Sequence, residues 1–230
     1  MIPIRDDNPT TITPVVTVGL IVVNVLVFIY QLSLGPQGQA FVYVFGAVPG
    51  ALFGGESLSP VPPMLTLVTS MFLHGGVMHI GGNMLYLWIF GNNIEDVMGH
   101  GRFILFYLLC GVAAAYAHAI TAPDSLVPMI GASGAISGVL GAYLLLFPRA
   151  RVLTLIPFGI VMHMEYIPAA WLLGLWILLQ FFNGTLSLGG GGGGVAWFAH
   201  VGGFLAGMAL IHAFVRRRPG RDRVPGRRFS

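Results

Sequence analysis

The stretch at residues 14–33 reads PVVTVGLIVVNVLVFIYQLS and contains no Asp, Glu, Lys or Arg. A helix needs about 20 predominantly apolar residues to cross the hydrocarbon core of a bilayer, and this stretch supplies them. Of the 230 residues in the chain, 56% are apolar and 8% are charged, against about 25% charged in soluble domains. The mean hydropathy is +0.83. This composition predicts a membrane protein and excludes a soluble enzyme, a nucleic-acid-binding module and a disordered protein.

Charge-free segments recur along the chain and predict six membrane-spanning helices. The predicted spans are 14–33, 76–94, 103–120, 131–148, 167–183 and 196–215. Residues 34–64 are apolar but are interrupted by Pro49 and several glycines, which favours an interfacial or re-entrant loop over another span. The sequence therefore predicts an all-α membrane protein. A six-helix domain at 14–215 is preceded by a cytoplasmic segment at 1–13 and followed by a basic tail at 216–230.

The positive charges predict the orientation of these spans. The chain has no lysine, and its arginines are Arg5, Arg102, Arg149, Arg151 and seven more between 216 and 228. With six spans, all of them fall on the same side of the membrane. The positive-inside rule then places both termini in the cytoplasm. We expect the basic tail to lie along anionic lipid headgroups, and nucleic acid is not an expected partner.

Three polar clusters lie inside the predicted spans, where polar groups are costly and often functional. They occupy residues 74–83 at the start of span two, 131–138 at the start of span four and 199–207 at the start of span six. Spans two, four and six cross the membrane in the same direction. The clusters are therefore predicted at a similar depth, just below the outer face.

Glycine spacing predicts that spans four and six touch. Gly134 and Gly138 form a G-x-x-x-G pair on span four, and Gly203 and Gly207 form another on span six. Small residues at this spacing let membrane helices approach closely. His200 shares a helical face with the second pair, so its imidazole is predicted to face span four.

A close crossing of spans four and six would bring Ser133 beside His200. A serine next to an imidazole base is the nucleophile arrangement of acyl-transfer enzymes. Ser133 also begins a predicted helix, where free N–H groups can stabilise an oxyanion. His79 and Asn83 project from one face of span two and can add further donors. Each residue has a simpler interpretation: Ser133 as a packing residue, His200 as a core histidine, and His79 with Asn83 as links between helices.

No predicted span contains an acidic residue, so the sequence favours a Ser-His dyad over a Ser-His-Asp triad. The histidines lack supporting carboxylates or cysteines, and no H-E-x-x-H motif occurs. We therefore do not expect a metal site.

Four motifs follow one another along the chain. They are His74 with His79-x-x-x-Asn83, Glu95-x-x-x-Gly99, Gly131-x-Ser133-Gly134 and Ala199-His200-x-x-Gly203-x-x-x-Gly207. With these motifs in this order, the chain resembles the rhomboid family of intramembrane serine proteases over about residues 14–215. The resemblance implies a six-helix fold and cleavage of transmembrane segments of other membrane proteins near their outward ends, without a cofactor.

The resemblance also implies residue roles. Ser133 would be the nucleophile, and His200 the general base and acid. The oxyanion hole would comprise His79, Asn83 and the backbone N–H of Ser133. Gly131 and the four glycines of the paired motifs would support the helix packing. A prokaryotic cell membrane is the expected location.

Two departures from the family pattern concern the surroundings of these groups. Ser137 stands where many bacterial members have an aromatic residue that stacks on the histidine, so the family pattern does not assign the residue that supports the His200 ring. The first outer loop also lacks a Trp-Arg pair that is common in the family. The alternative functions are a catalytically silent relative that binds transmembrane helices, and a small transporter or channel. Silent relatives typically lose the serine or the histidine, and this chain retains both.

Overall fold

The structure is a computed structural model that describes residues 1–55, 59–159, 161–187 and 195–215. The glycine run at 189–194, between the fifth and sixth predicted spans, and the basic tail at 216–230 lie outside the described residues.

Helices form most of the described chain. They are α1 Val15–Ser33, α2 Gly38–Phe45, α3 Pro49–Leu52, α4 Pro63–Thr69, α5 Val77–Met98, α6 His100–Thr121, α7 Ser133–Leu146, α8 Ala169–Ser187 and α9 Trp197–Phe214. Each predicted span overlaps one helix of at least 14 residues, with ends shifted by a few residues. The interfacial or re-entrant loop predicted at 34–64 contains the short helices α2 and α3 and the start of α4.

Four helices of the described residues, α1, α6, α8 and α9, are long and apolar enough to cross a membrane. A fifth candidate combines Pro63–Phe72 with Val77–Met98, two helical pieces bent by 85°. The helix at the predicted fourth span, α7, is apolar but has only 14 residues. The chain is therefore a mostly helical protein with four or five candidate spans in its described part.

The prediction of an all-α fold needs a correction, because three strands form an antiparallel sheet. They are β1 Ile2–Asp6, β2 Arg151–Phe158 and β3 Val161–Pro168, in the order β1-β2-β3. The hairpin of β2 and β3 follows the end of α7 and leads directly into α8 at Ala169. The segment at 1–13 is therefore attached to the domain predicted at 14–215, since Ile2 of β1 pairs with Leu155 of β2.

Glu95 fixes the start of α1 against α5. Its carboxylate accepts hydrogen bonds from the backbone N–H groups of Val16 and Thr17, at 2.9 and 2.7 Å, and from the Thr17 hydroxyl at 2.7 Å. These are first-turn donors without partners inside the helix. The helix α5 continues beyond the predicted span end at 94, so Glu95 and Asp96 are helical and buried.

The loop after α1 is held without a Trp-Arg pair. Ala47 and Met129 exchange two backbone hydrogen bonds of 3.1 and 2.7 Å, and the Thr69 hydroxyl donates to the Phe45 carbonyl at 2.6 Å. Gly131 also donates its N–H to the Ser70 carbonyl at 2.9 Å. The loop is thereby tied to the segment that leads into α7.

The helices α7 and α9 pack backbone against backbone. A Cβ placed on Gly203 would overlap the carbonyl oxygen of Gly134, and one on Gly207 would overlap the carbonyl oxygen of Gly138. A Cβ on Gly134 would stand 2.7 Å from the Ala114 side chain of α6. This close crossing determines how near the first residues of α7 come to α9.

Candidate active site

Ser133 and His200 meet where α7 and α9 begin. Ser133 is the first residue of α7, and His200 lies within the first turn of α9. The Ser133 Oγ lies 2.8 Å from His200 Nε2, which is a hydrogen-bond distance. The structure thus brings together the two residues that the sequence singled out as nucleophile and base.

The other ring nitrogen of His200 contacts a residue that the sequence analysis did not select. His200 Nδ1 lies 2.7 Å from Oε1 of Gln180 on α8. Gln180 is a buried polar residue in an otherwise apolar stretch of that helix. Its position within a predicted span was the signal that could have found it, because polar groups in spans are costly.

Two tryptophans surround the imidazole of His200. The Trp176 ring lies with its centroid 5.8 Å from that of His200 and its plane tilted by 36°. Trp197 approaches edge-on, with centroids 6.3 Å apart and planes at 89°. Aromatic pairs prefer such separations and geometries. The aromatic support missing from α7 is therefore supplied by α8 and by α9 itself.

The hydroxyl of Ser137 bonds to its own helix. Its hydroxyl donates to the carbonyl oxygen of Ser133, four residues earlier, at 2.6 Å. This bond satisfies a buried hydroxyl within α7. Ser137 therefore does not replace the aromatic residue as a support for His200.

His79 presents one ring nitrogen to the site. Its Nδ1 accepts the N–H of Gly75 at 3.2 Å, so in the neutral ring the proton is on Nε2. A Cβ added to Gly131, whose φ is +121°, would stand 2.8 Å from His79 Nε2 and 3.6 Å from Ser133 Oγ. Glycine at 131 thus leaves room for the His79 Nε2–H group next to Ser133.

Asn83 lies one turn after His79 and brings an unpaired donor. Its side-chain Nδ2 is buried, and among the described residues it has no hydrogen-bond partner. A buried unpaired amide costs free energy. Such a group is available to a ligand atom placed beside Ser133.

These groups border one cavity of about 580 Å³. Its lining includes His79, Asn83, Ser133, Gln180 and His200. Residues of α5 and α8, Tyr86 and Trp176 among them, form its sides. The described residues contain no group of three His, Cys, Asp or Glu side chains able to hold a metal ion.

Comparison with known proteins gives the family. A model described as "Rhomboid domain" matches residues 62–217. The chain belongs to the rhomboid family. The match includes α5, α7, α8 and α9, and therefore every side chain described around the cavity.

Several proteins are similar to this rhomboid. The "Rhomboid protease GluP" of Bacillus subtilis (strain 168) is 35% identical over 133 residues, which are 57% of this chain and 24% of that protein. The "Presenilin-associated rhomboid-like protein A, mitochondrial" of Danio rerio is 33% identical over 144 residues, or 60% and 37% of the two chains. The "Rhomboid protein 1, mitochondrial" of Saccharomyces cerevisiae is 27% identical over 182 residues, or 74% and 48%.

This rhomboid spans about a quarter to a half of the length of these curated relatives. One of them is bacterial and the others are named as mitochondrial, so the expected prokaryotic cell membrane gains no support from them.

Proposed function

We propose that this rhomboid is an intramembrane serine endopeptidase that uses Ser133 as nucleophile and His200 as general base and acid. The observation that carries the proposal is the 2.8 Å separation of Ser133 Oγ and His200 Nε2 at a cavity. The similarity to a relative named as a rhomboid protease supports it.

The proposed reaction follows from this geometry. His200 Nε2 takes the hydroxyl proton of Ser133 as Oγ attacks the scissile carbonyl. The imidazolium then gives that proton to the leaving amine, and an acyl-enzyme remains on Ser133. Water, deprotonated by His200, attacks the ester, and the serine regains its proton as the carboxylic product leaves. No cofactor enters any step.

We assign the oxyanion hole to three donors on residues that line the cavity. The candidates are the unpaired Nδ2 of Asn83, the Nε2–H of His79 and the backbone N–H of Ser133. The last is a first-turn donor at a helix N-terminus, where the helix dipole favours negative charge. Fixed donors of this kind stabilise a developing oxyanion without reorganising.

The proposed topology has six spans, both termini in the cytoplasm and the site near the outer face. Pairing of β1 with β2 puts Arg5 and Arg151 at the end of α7 remote from Ser133, and Arg102 donates to the Phe214 carbonyl at the end of α9 at 3.4 Å. The arginines of the described residues thus favour a cytoplasmic location for the C-terminal ends of α7 and α9. The 14 residues of α7 span only about 21 Å, less than the roughly 30 Å of hydrocarbon. Ser133 would therefore lie below the membrane surface.

The proposed substrate is a transmembrane segment of another membrane protein. The cavity is bordered by α5 and α8, and large apolar side chains on the outer faces of these helices, such as Trp88 and Leu178, are exposed toward the surroundings. A lipid-borne helix can reach the cavity between them without exposing apolar surface to water. Membrane lipids are the remaining expected partners.

A serine-reactive fluorophosphonate probe tests this function in purified protein. We expect labelling and cleavage of a model transmembrane substrate by the wild type and by Ser33→Ala, a control at an exposed serine of α1. Ser133→Ala should lose both activities, and His200→Ala should lose cleavage. Cleavage retained by Ser133→Ala would overturn the proposal. A wild type that binds transmembrane helices but neither cleaves them nor reacts with the probe would instead be a silent adaptor.

A further inference from the structure

We propose that Gln180 is the positioning residue of His200, holding its imidazole in the tautomer that can accept a proton from Ser133. The inference rests on the proposed function, because it assigns a third partner to the same serine and histidine. Neither the motifs quoted from the sequence nor the expected Ser-His dyad includes this residue.

The hydrogen bonds form a directed chain through the imidazole. Gln180 Oε1 lies 2.7 Å from His200 Nδ1, and Ser133 Oγ lies 2.8 Å from His200 Nε2. An amide oxygen only accepts hydrogen bonds, so the proton of the neutral ring is on Nδ1. The Nε2 lone pair is then free to accept the Ser133 hydroxyl. The opposite tautomer would place a hydrogen on Nε2 and remove the base.

Packing fixes Gln180 in this position. It lies one helical turn after Trp176, so both side chains project from the same face of α8. Gly184, one further turn along, continues this face against Trp197, with 3.2 Å between a Cβ placed on it and the Trp197 side chain. The neighbouring Leu179 and Phe181 are about half exposed on the outside of the helix. One face of α8 therefore carries the ring wall, the acceptor and the contact to α9.

An amide suits this depth better than a carboxylate. A charged side chain within the hydrocarbon region is costly, whereas a neutral amide oxygen accepts the Nδ1–H without adding a charge. An amide as third member also occurs in proteases with a Cys-His-Asn arrangement. Gln180 therefore explains how this site orients its histidine without an acidic residue in contact with the ring.

Kinetics of Gln180 variants test the inference. Gln180→Met keeps the length of the side chain but removes the acceptor, and we expect kcat to fall about 10- to 100-fold, the range for losing one hydrogen bond to a charged group. KM and the melting temperature should stay near wild type, and Gln180→Glu should recover part of the loss. The control is Asn183→Leu, a polar-to-apolar change on the same helix outside the lining of the cavity. A Gln180→Met enzyme with kcat within twofold of wild type would overturn the inference.

The tautomer can be measured without any activity. Nitrogen NMR of ¹⁵N-histidine-labelled wild type, with the His200 signals assigned by difference from His200→Gln, should show a protonated Nδ1 and an unprotonated Nε2. In Gln180→Met the populations should shift toward a protonated Nε2. A protonated Nε2 in the neutral wild type contradicts the role of Gln180 even if the variants do not fold. If the tautomer is as expected but the wild type neither reacts with the probe nor cleaves, the protease proposal fails while the hydrogen bond stands.

Discussion

The ring of Trp176 covers the ring of His200 at a centroid distance of 5.8 Å, and the two residues come from different helices, α8 and α9. The same tryptophan also approaches Phe204 on α9, at 6.3 Å. The orientation of the proposed base therefore depends on the docking of α8 onto α9. A helix that borders the cavity thus also holds the proposed base in place.

Replacing Trp176 should slow the reaction. Trp176→Leu keeps an apolar side chain but removes the ring, and aromatic pairs stabilise by about 0.5–1.5 kcal/mol beyond their buried area. We expect kcat to fall about 2- to 10-fold, measured on a model transmembrane substrate. Trp171→Leu is the matched control, because Trp171 is on the same helix and 75% exposed. Equal rates for the two variants would rule out a role for the Trp176 ring.

Asn83→Ala should lower the rate while leaving the fold intact. The Nδ2 of Asn83 has no partner among the described residues, so its removal breaks no hydrogen bond of the free protein. Loss of a single oxyanion donor costs about 10²–10³ in rate, and we expect about 10–10² because His79 and a backbone N–H remain. Asn92→Ala, two and a half turns further along α5 and outside the lining of the cavity, is the control for the rate and for the melting temperature. A large fall in melting temperature for Asn83→Ala alone would favour a structural link between helices.

The sequence predicted the helices better than the sheet. A long segment without charged residues predicts an apolar helix without any knowledge of what that helix packs against. Every long helix contains most of a predicted span. The sheet depends on pairing between Ile2 and Leu155, which are far apart in sequence, and Pro3 and Pro157 weaken the strand signal. Long-range pairing of this kind leaves no periodic trace in either segment alone.

The pairing of Ser133 with His200 could be predicted because two signals agreed: the glycine spacing on α7 and α9, and the similar depth predicted for the polar clusters. Gly203 and Gly207 indicated the face of α9 that carries His200, and Ser133 followed from the helix it had to meet. Gln180 was missed because one glutamine in an apolar helix has no visible partner until α8 is docked. Trp176 was missed for the same reason, since an aromatic residue in a span is usually a packing residue.

Asp6, the last residue of β1, should make the free energy of unfolding depend on pH. Burial raises the pKa of this carboxyl above its ordinary value of 3.8, although the Tyr143 hydroxyl donates to it at 2.6 Å. A raised carboxyl pKa favours the protonated form in the folded state. Its contribution to stability is therefore fully present below the ordinary pKa and is lost as pH rises through the raised value.

Melting temperatures in detergent from pH 3.5 to 7.5 measure this effect. Asp6→Asn keeps an acceptor for Tyr143 and removes the titration, so it should gain stability relative to wild type as pH rises. Asp124→Asn, at an exposed carboxyl of the loop between α6 and α7, corrects for the general loss of one negative charge. A constant difference between Asp6→Asn and wild type at every pH would contradict the argument.

Adding a single methyl group to the crossing of α7 and α9 should inactivate the protein. The Cβ of Gly203→Ala or Gly207→Ala would overlap a carbonyl oxygen of α7, and backbone cannot move aside as a side-chain end can. Overpacking of this kind costs about 1–3 kcal/mol, and the helices must separate to accommodate it. We expect a lower melting temperature and a loss of cleavage, because His200 lies one turn before Gly203 and would move away from Ser133.

Gly174→Ala on α8 is the matched control: nothing lies within 4 Å of its added Cβ, and alanine is favoured over glycine inside a helix by about 1 kcal/mol. That variant should be at least as stable as wild type and fully active, so wild-type activity in Gly203→Ala and Gly207→Ala would refute the link between the glycine contact and the geometry of the serine and histidine.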